Sequence, residues 1–436
     1  MLNTLHLAKI IITNDKEPIL NGGLLIHDSK IINIGKKEDF GDLKNTQLEI
    51  IDHGNALICP GFINLHTHLL YSNLGHIDGK DGLFPWLEKL TDRTSSLTED
   101  DFIASIKYGI NQALSTGTTF IVENTPNHLS TQELMKSPIK ALIGFEIFGS
   151  DEDKADEIFN EVQSLIYNQS RINPVSTKLD FTFSPHAPYD VSKPLWKKLI
   201  EWSKNNDKLL LTHLEESPQE KLWWQEKSGQ AINFWKKLNK LESKVKYWKK
   251  YNSGIDFLNK NHILASNIIA SHLCKATKED LLVLKEKNIS LVHCPRSNFY
   301  LNNGTANIQK WNELNILWGI GTDSIASNIN LDMLEEVRFT INQQKLIYNF
   351  SLSAKDAFLA ITKNAAKILS MDSKIGGLKT NFCADFLVYE IPNKPDSTYK
   401  DPYELVIWDM DNNKNLKEVW INGEKDWITH HSLTKI

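Results

Sequence analysis

The stretch Phe62–Ser72, FINLHTHLLYS, closes an apolar run with two histidines one residue apart. On a strand, alternate side chains share a face, so His66 and His68 point one way and Thr67 the other. This is the spacing of a chelating pair. Polar endings recur further along: His186 closes LDFTFSPH, His213 and Glu216 close KLLLTHLEE, His272 closes SNIIASHL and Asp323 closes ILWGIGTDS. Three imidazoles and a carboxylate, taken here as His66, His68, His213 and Asp323, suit one borderline divalent ion and leave a position for water. Zinc is the expected ion, and iron(II) and manganese(II) accept the same donors. Such an ion lowers the pKa of water from 15.7 toward about 7, so protons must then be managed. Glu216, three residues beyond His213, is the expected general acid and base, with Glu215 turned away. His272 is expected to orient the nucleophile or steady developing charge, and Asp323 to help take up a proton while ligating. The run LDFTFSPH ends in His186 with no lysine available as a bridging group, which favours one ion over two.

These residues need elements that bring strand ends together. The middle of the chain alternates apolar, strand-like runs with helical patterns. Eight such runs can be read: LICPGFINLHTH, TTFIVENT, KALIGFEIFGS, LDFTFSPH, KLLLTHLEE, SNIIASHL, ISLVHCPRSN and ILWGIGTDS. Eight parallel β/α units predict a closed barrel, whose strands deliver their carboxyl ends to one face where active sites are built. A helix is expected in LTEDDFIASIKYGINQALSTG, started by Ser96 or Thr98 and ended by Gly117. Short strand patterns with Gly and Asn-Asp punctuation fill residues 1–56 and return near the other end in CADFLVYEI, LVIWDM and EVWINGEKDW. Both ends are therefore expected to build one small β domain.

Bulk properties narrow the partners. Lys and Arg total 49 against 54 Asp and Glu, a formal charge of −5, and the lysines lie in mixed-sign helical stretches. That balance does not point to nucleic acid, and none is expected as a partner. Cys59, Cys274, Cys294 and Cys383 are far apart, which points to a reduced, cytoplasmic chain rather than a disulfide framework. No signal-type or membrane-spanning run is expected. The Trp-rich stretch from Ser217 to Gly254 follows Glu216 directly and is expected either to cover the site or to pack as a core wall.

The motifs PGFINLHTH, SPHAPYDVS, THLEESPQE and GTDSIASNINLDMLEE stand in the order found in the amidohydrolase superfamily. The chain resembles its purine and triazine aminohydrolase branch over nearly its whole length. The resemblance implies a distorted (β/α)8 barrel at residues 57–370 and a β-sandwich composed of residues 1–56 and 371–436. It implies hydrolytic removal of an exocyclic amine from a purine-type ring, with His186 contacting the substrate, Trp86 walling or stacking on the base, and Arg296 reaching a polar tail. A homodimer acting on a small molecule is also implied. HTHLLYSNLGHIDGKDGLFPWLEKL and HCPRSNFYLNNG are most similar to the aminodeoxyfutalosine deaminases of a menaquinone route, although Leu70 stands where that group commonly has an acidic residue. Rival substrates are adenosine, S-adenosylhomocysteine, methylthioadenosine, guanine and chlorotriazines. Cyclic-amide hydrolysis and silent small-molecule binding are the alternatives outside deamination.

Overall fold

The computed structural model describes residues 3–43, 48–172, 178–246, 248–392 and 401–426. Trp427, which ends the last strand pattern, and residues 393–400 and 427–436 of the expected sandwich lie outside the described residues.

Sixteen strands form three sheets among the described residues. The first five are β1 (Thr4–Ile11), β2 (Ile19–His27), β3 (Lys30–Lys36), β4 (Glu49–Asp52) and β5 (Ala56–Pro60). The barrel strands are β6 (Phe62–Thr67), β7 (Thr118–Thr125), β8 (Lys140–Ile147), β9 (Leu179–Pro185), β10 (Leu210–Leu214), β11 (Ile268–His272), β12 (Ser290–His293) and β13 (Trp318–Ile320). The last three are β14 (Phe386–Glu390), β15 (Leu416–Ile421) and β16 (Glu424–Asp426).

Strands from both ends of the chain share one sheet in the order β16-β15-β14-β5-β1-β2-β3, with β4 also paired to β1. The run LICPGFINLHTH, one strand by pattern, is split at Gly61. Its first half, β5, lies between β14 and β1, and its second half opens the barrel. A Cβ at Gly61 would sit 2.3 Å from Thr119 Oγ1, so only glycine lets the chain cross between the two sheets there. A buried Lys140–Asp385 ion pair of 2.5 Å ties the two bodies together.

Each of the eight expected middle runs contains one of the barrel strands, all in parallel register, grouped as β6-β7-β8-β9 and β10-β11-β12-β13. Their near-continuous burial is that of strands covered on both faces. Backbone bonds join the two halves at both seams. The His213 N–H donates to the His186 carbonyl at 2.9 Å, and the Asp323 N–H to the His66 carbonyl at 2.9 Å. At the second seam a Cβ on Gly321 would lie 2.6 Å from His66 Cβ, so glycine is required for the closure that sets Asp323 beside His66. The helix Glu99–Ser115 starts at Thr98, whose hydroxyl and Asp101 cap each other's backbone, and Gly117 follows its end at φ +88°. Among the described residues no helix is long and apolar enough to cross a membrane.

Candidate active site

The polar strand endings converge at the carboxyl face of the barrel. His66 and His68 come from β6 and the turn after it, His213 from β10, His272 from β11 and Asp323 from just past β13. All are buried. His272, Asp323 and Glu215 hold left-handed backbone angles, φ 80°, 62° and 47°. Left-handed backbone costs a non-glycine residue roughly 1–2 kcal/mol, and strain of this kind persists where the surrounding structure fixes the chain for a purpose.

His68 Nε2 lies 3.3 Å from His213 Nε2 and 3.5 Å from Asp323 Oδ1, and His66 Nε2 lies 3.7 Å from the same oxygen. A tetrahedral site with bonds of about 2.0–2.1 Å has donor-to-donor edges of about 3.4 Å. These edges therefore enclose the volume of one such ion. The other side of each donor is fixed by the fold. His213 Nδ1–H donates to the His186 carbonyl at 2.8 Å, which leaves the Nε2 lone pair facing the centre. His66 Nδ1 meets Ser271 Oγ at 3.1 Å, and its inward Nε2 is buried with no protein partner. Asp323 Oδ2 accepts from Ser297 and Ser327 hydroxyls at 2.6 and 2.9 Å, turning Oδ1 toward the histidines. Burial, followed by crowding from neighbouring imidazoles, pushes His66 and His213 well below the usual histidine range. Both are neutral, and among the described residues His66 Nε2 has no hydrogen-bond partner and His213 Nε2 meets only His68 Nε2, so the residues fit a divalent ion.

Glu216 sits beside this cluster. Burial, with the charge of Asp323, pushes its carboxyl up to about 8, and Oε1 accepts from Asn303 Nδ2 at 3.0 Å. A carboxyl raised in this way can hold a proton and give it away. Glu215 points elsewhere and accepts the Gly254 N–H at 2.7 Å. His272 Nδ1–H donates to Asn298 Oδ1 at 2.9 Å, so its Nε2, 3.9 Å from Glu216 Oε2, faces the site as an acceptor.

A cavity of about 440 Å³ leads outward from these groups. His186 lines it, its Nδ1 donating to Asp190 at 2.6 Å, and Asp190 also pairs with the buried Lys244. Trp86 lines it too, packed on Leu83, Leu90 and Leu301. The Ser217–Gly254 stretch supplies a wall through Phe234, Trp235 and Leu238. Trp235 is 1% exposed and packs on Trp223 and Phe84, so the segment packs and covers at once.

Arg296 is different. It is absent from the cavity lining, and its guanidinium donates to Glu336 Oε1 at 2.7 Å and Asn330 Oδ1 at 2.7 Å and pairs with Glu335. The substrate contact implied for it is corrected by this geometry, because its donors face acids on the helix Met333–Tyr348. Its neighbours Ser297 and Asn298 do reach the site, one holding Asp323 and the other His272. Asn303 and Glu146, the penultimate residue of β8 and part of the cavity wall, were not among the expected site residues.

The amidohydrolase family model matches residues 57–425. A 5-methylthioadenosine/S-adenosylhomocysteine deaminase of Bacillus cereus (strain 03BB102) is 27% identical, across 96% of this chain and 92% of its own. Among solved structures, Helicobacter pylori aminofutalosine deaminase superposes with a TM-score of 0.80 at 23% identity, over 98% of this chain and 100% of its own. A zinc-bound adenosine deaminase from Xanthomonas campestris also gives 0.80, at 20% identity over 97% and 92%. At such identities the structural likeness is one of fold.

Proposed function

Because the chain belongs to the amidohydrolase family, we propose that it is a metal-dependent hydrolytic deaminase of a purine-type nucleoside, with 6-amino-6-deoxyfutalosine as the substrate that suits it best. One observation carries this reading: Glu216, held by Asn303, stands beside the three-histidine, one-aspartate cluster at the inner end of the cavity. That pairing suits addition of water to an amine-bearing ring carbon with protonation of the adjacent ring nitrogen.

His66, His68, His213 and Asp323 are the residues that would hold the ion, with zinc the first choice. When bound, it supplies the Lewis acidity that brings water toward neutrality in pKa. The chain's own groups do the rest. Glu216 gives its proton to the ring nitrogen, while Asn303 fixes the carboxyl so that it cannot swing away. His272 Nε2 accepts the O–H of the attacking water, since Asn298 holds the proton of this ring on Nδ1. His186, held by Asp190, presents its free N–H to the base. Overall the amine carbon gains an oxygen from water and loses nitrogen as ammonia. Phe84, Trp86 and Trp235 keep bulk water from the reacting end, where polar interactions are strongest.

The apolar middle of the cavity supports a nucleoside with a 5′ substituent, a feature shared by the substrates named for the Bacillus relative and the Helicobacter fold neighbour. The exposed Lys154 and Lys240, which share the lining with Asp151, supply positive charge for a tail ending in a carboxylate. The sequence relatives favour the second reading, deamination of methylthioadenosine or S-adenosylhomocysteine. Ammonia release measured on 6-amino-6-deoxyfutalosine, methylthioadenosine, S-adenosylhomocysteine, adenosine, guanine and a chlorotriazine tests both. Preference for the first compound supports the finer assignment, preference for the second or third replaces it, and release from none of the purines sinks the deaminase reading.

A further inference from the structure

Two lysines are buried among the described residues, Lys140 and Lys244. Lys140 pairs with Asp385 and joins the barrel to the β domain. Lys244 comes from the short helix Leu241–Lys246, inside the Trp-rich stretch beyond Glu216, and its side chain is 4% exposed. Its ammonium pairs with Asp190 Oδ1, donates to the Tyr189 carbonyl at 3.3 Å and lies 5.1 Å from the centre of the Trp235 ring. All three partners line the cavity. A buried ion pair adds little stability over apolar packing of similar volume, because desolvation offsets the attraction. Methionine would cover Trp235 as well, so the charge is there for what it does to Asp190.

Asp190 has little freedom apart from its carboxyl. Its N–H donates to the Ala187 carbonyl at 2.9 Å, and its own carbonyl accepts the Gly149 N–H at 2.9 Å. The terminal torsion of an aspartate is broad and roughly two-fold, so an anchored backbone does not by itself aim the two oxygens. Lys244 holds Oδ1, and Oδ2 is thereby turned to His186 Nδ1 at 2.6 Å. The helix that carries Lys244 is tied down in turn, since Ser243 Oγ meets Ser150 Oγ at 3.3 Å in the connection after β8. The charge therefore sits in a fixed frame. We propose that Lys244 is a positioning residue for the deamination, aiming the His186 ring at the base through Asp190. The Trp-rich stretch then orients a substrate contact as well as walling the cavity. This rests on the deaminase reading above, but the first measurement does not require turnover.

The test starts from the heteronuclear NMR spectrum of zinc-loaded protein isotopically labelled at histidine, for wild type, Asp190→Asn, Lys244→Met and Lys244→Gln, with metal content and Tm measured for each. Wild type should give a slowly exchanging His186 Nδ1–H signal, recognised by its absence in Asp190→Asn. Lys244→Met should lose that signal to exchange with water. Lys244→Gln, shorter and uncharged, should lose it too and decides the matter if the methionine chain does not fold. On adenosine and 6-amino-6-deoxyfutalosine, Lys244→Met should lower kcat/KM about 10- to 100-fold, the scale of a misaimed contact. Added to Asp190→Asn, it should lower kcat/KM by less than about threefold, because the link is already broken. A His186 signal equally protected without Lys244, or absent from wild type, overturns the proposal. So does wild-type kcat/KM in Lys244→Met, or a loss that adds in full to that of Asp190→Asn, which would mark Lys244 as a packing residue. Loss of the signal on replacing Lys244, with no ammonia from either nucleoside in wild type, would leave the contact standing and remove only the deaminase reading.

Discussion

Replacing Arg296 with Met separates a structural clamp from a substrate contact. Arg296 is 4% exposed and Glu336 fully buried. The guanidinium meets Glu336 Oε1 at 2.7 Å, and the Arg296 N–H reaches Oε2 at 3.3 Å. Asn328 Nδ2 donates to Glu336 at 2.6 Å and to the Thr322 carbonyl at 2.8 Å, so the clamp also braces the turn that carries Asp323. Methionine fills similar volume but leaves the Glu336 charge with only those two neutral donors. Breaking a buried pair from one side costs about 3–5 kcal/mol. With unfolding entropy near 2.1 cal/mol/K per residue, a chain of 436 residues loses about 3–5 °C in Tm. Scanning calorimetry of metal-loaded wild type and Arg296→Met measures the shift, and steady-state kinetics on the best nucleoside measure KM. The expected variant melts earlier with KM within about threefold of wild type. An unchanged Tm with KM raised tenfold or more would refute the argument and return Arg296 to the substrate.

Three further outcomes follow from the same geometry. Glu216→Gln keeps the shape and the Asn303 contact but has no proton to give, so kcat should fall by about 10²–10⁴ at unchanged metal content, and full activity would remove its role. Burial pulls His186 down, but the hydrogen bond and charge of Asp190 outweigh it and raise this imidazole above its ordinary value. The stability that this pair contributes is thus present below about pH 6.5 and lost as pH rises through the raised value; kcat/KM should fall along the same alkaline limb. Asp190→Asn should move that limb to lower pH, and a limb that stays in place contradicts the assignment. Trp235→Ala opens the wall at a ring 1% exposed. It should cost about 3–5 kcal/mol in thermal or denaturant unfolding and raise KM more for a tailed nucleoside than for adenosine.

Much of the site could be read from the sequence because its signal is local. A polar residue at the end of an apolar strand run marks the carboxyl face, and His66, His68, His186, His213, His272 and Asp323 all carry that mark. Glu146 carries it as well, as the lone acid in KALIGFEIFGS, and the same rule would have found it. Asn303 gives no such sign, since it lies in a loop and reaches Glu216 only through the fold. Arg296 illustrates the harder limit. Its place after a strand run puts it near the barrel mouth, but its partners Glu335 and Glu336 sit 39 and 40 residues later, and nothing local reveals a pairing at that separation. The split of LICPGFINLHTH at Gly61 was hidden for a related reason: two consecutive strands of equal apolarity read as one when only tertiary pairing assigns them to different sheets.

The most direct measurement of the central claim is ammonia and 6-oxo product formed from 6-aminopurine nucleosides by purified protein of known metal content, before and after chelation and zinc restoration. The account expects about one ion per chain, with ammonia and 6-oxo nucleoside in equal amounts, lost on chelation and recovered with zinc. Folded, metal-loaded protein that releases no ammonia from any of these nucleosides would contradict it.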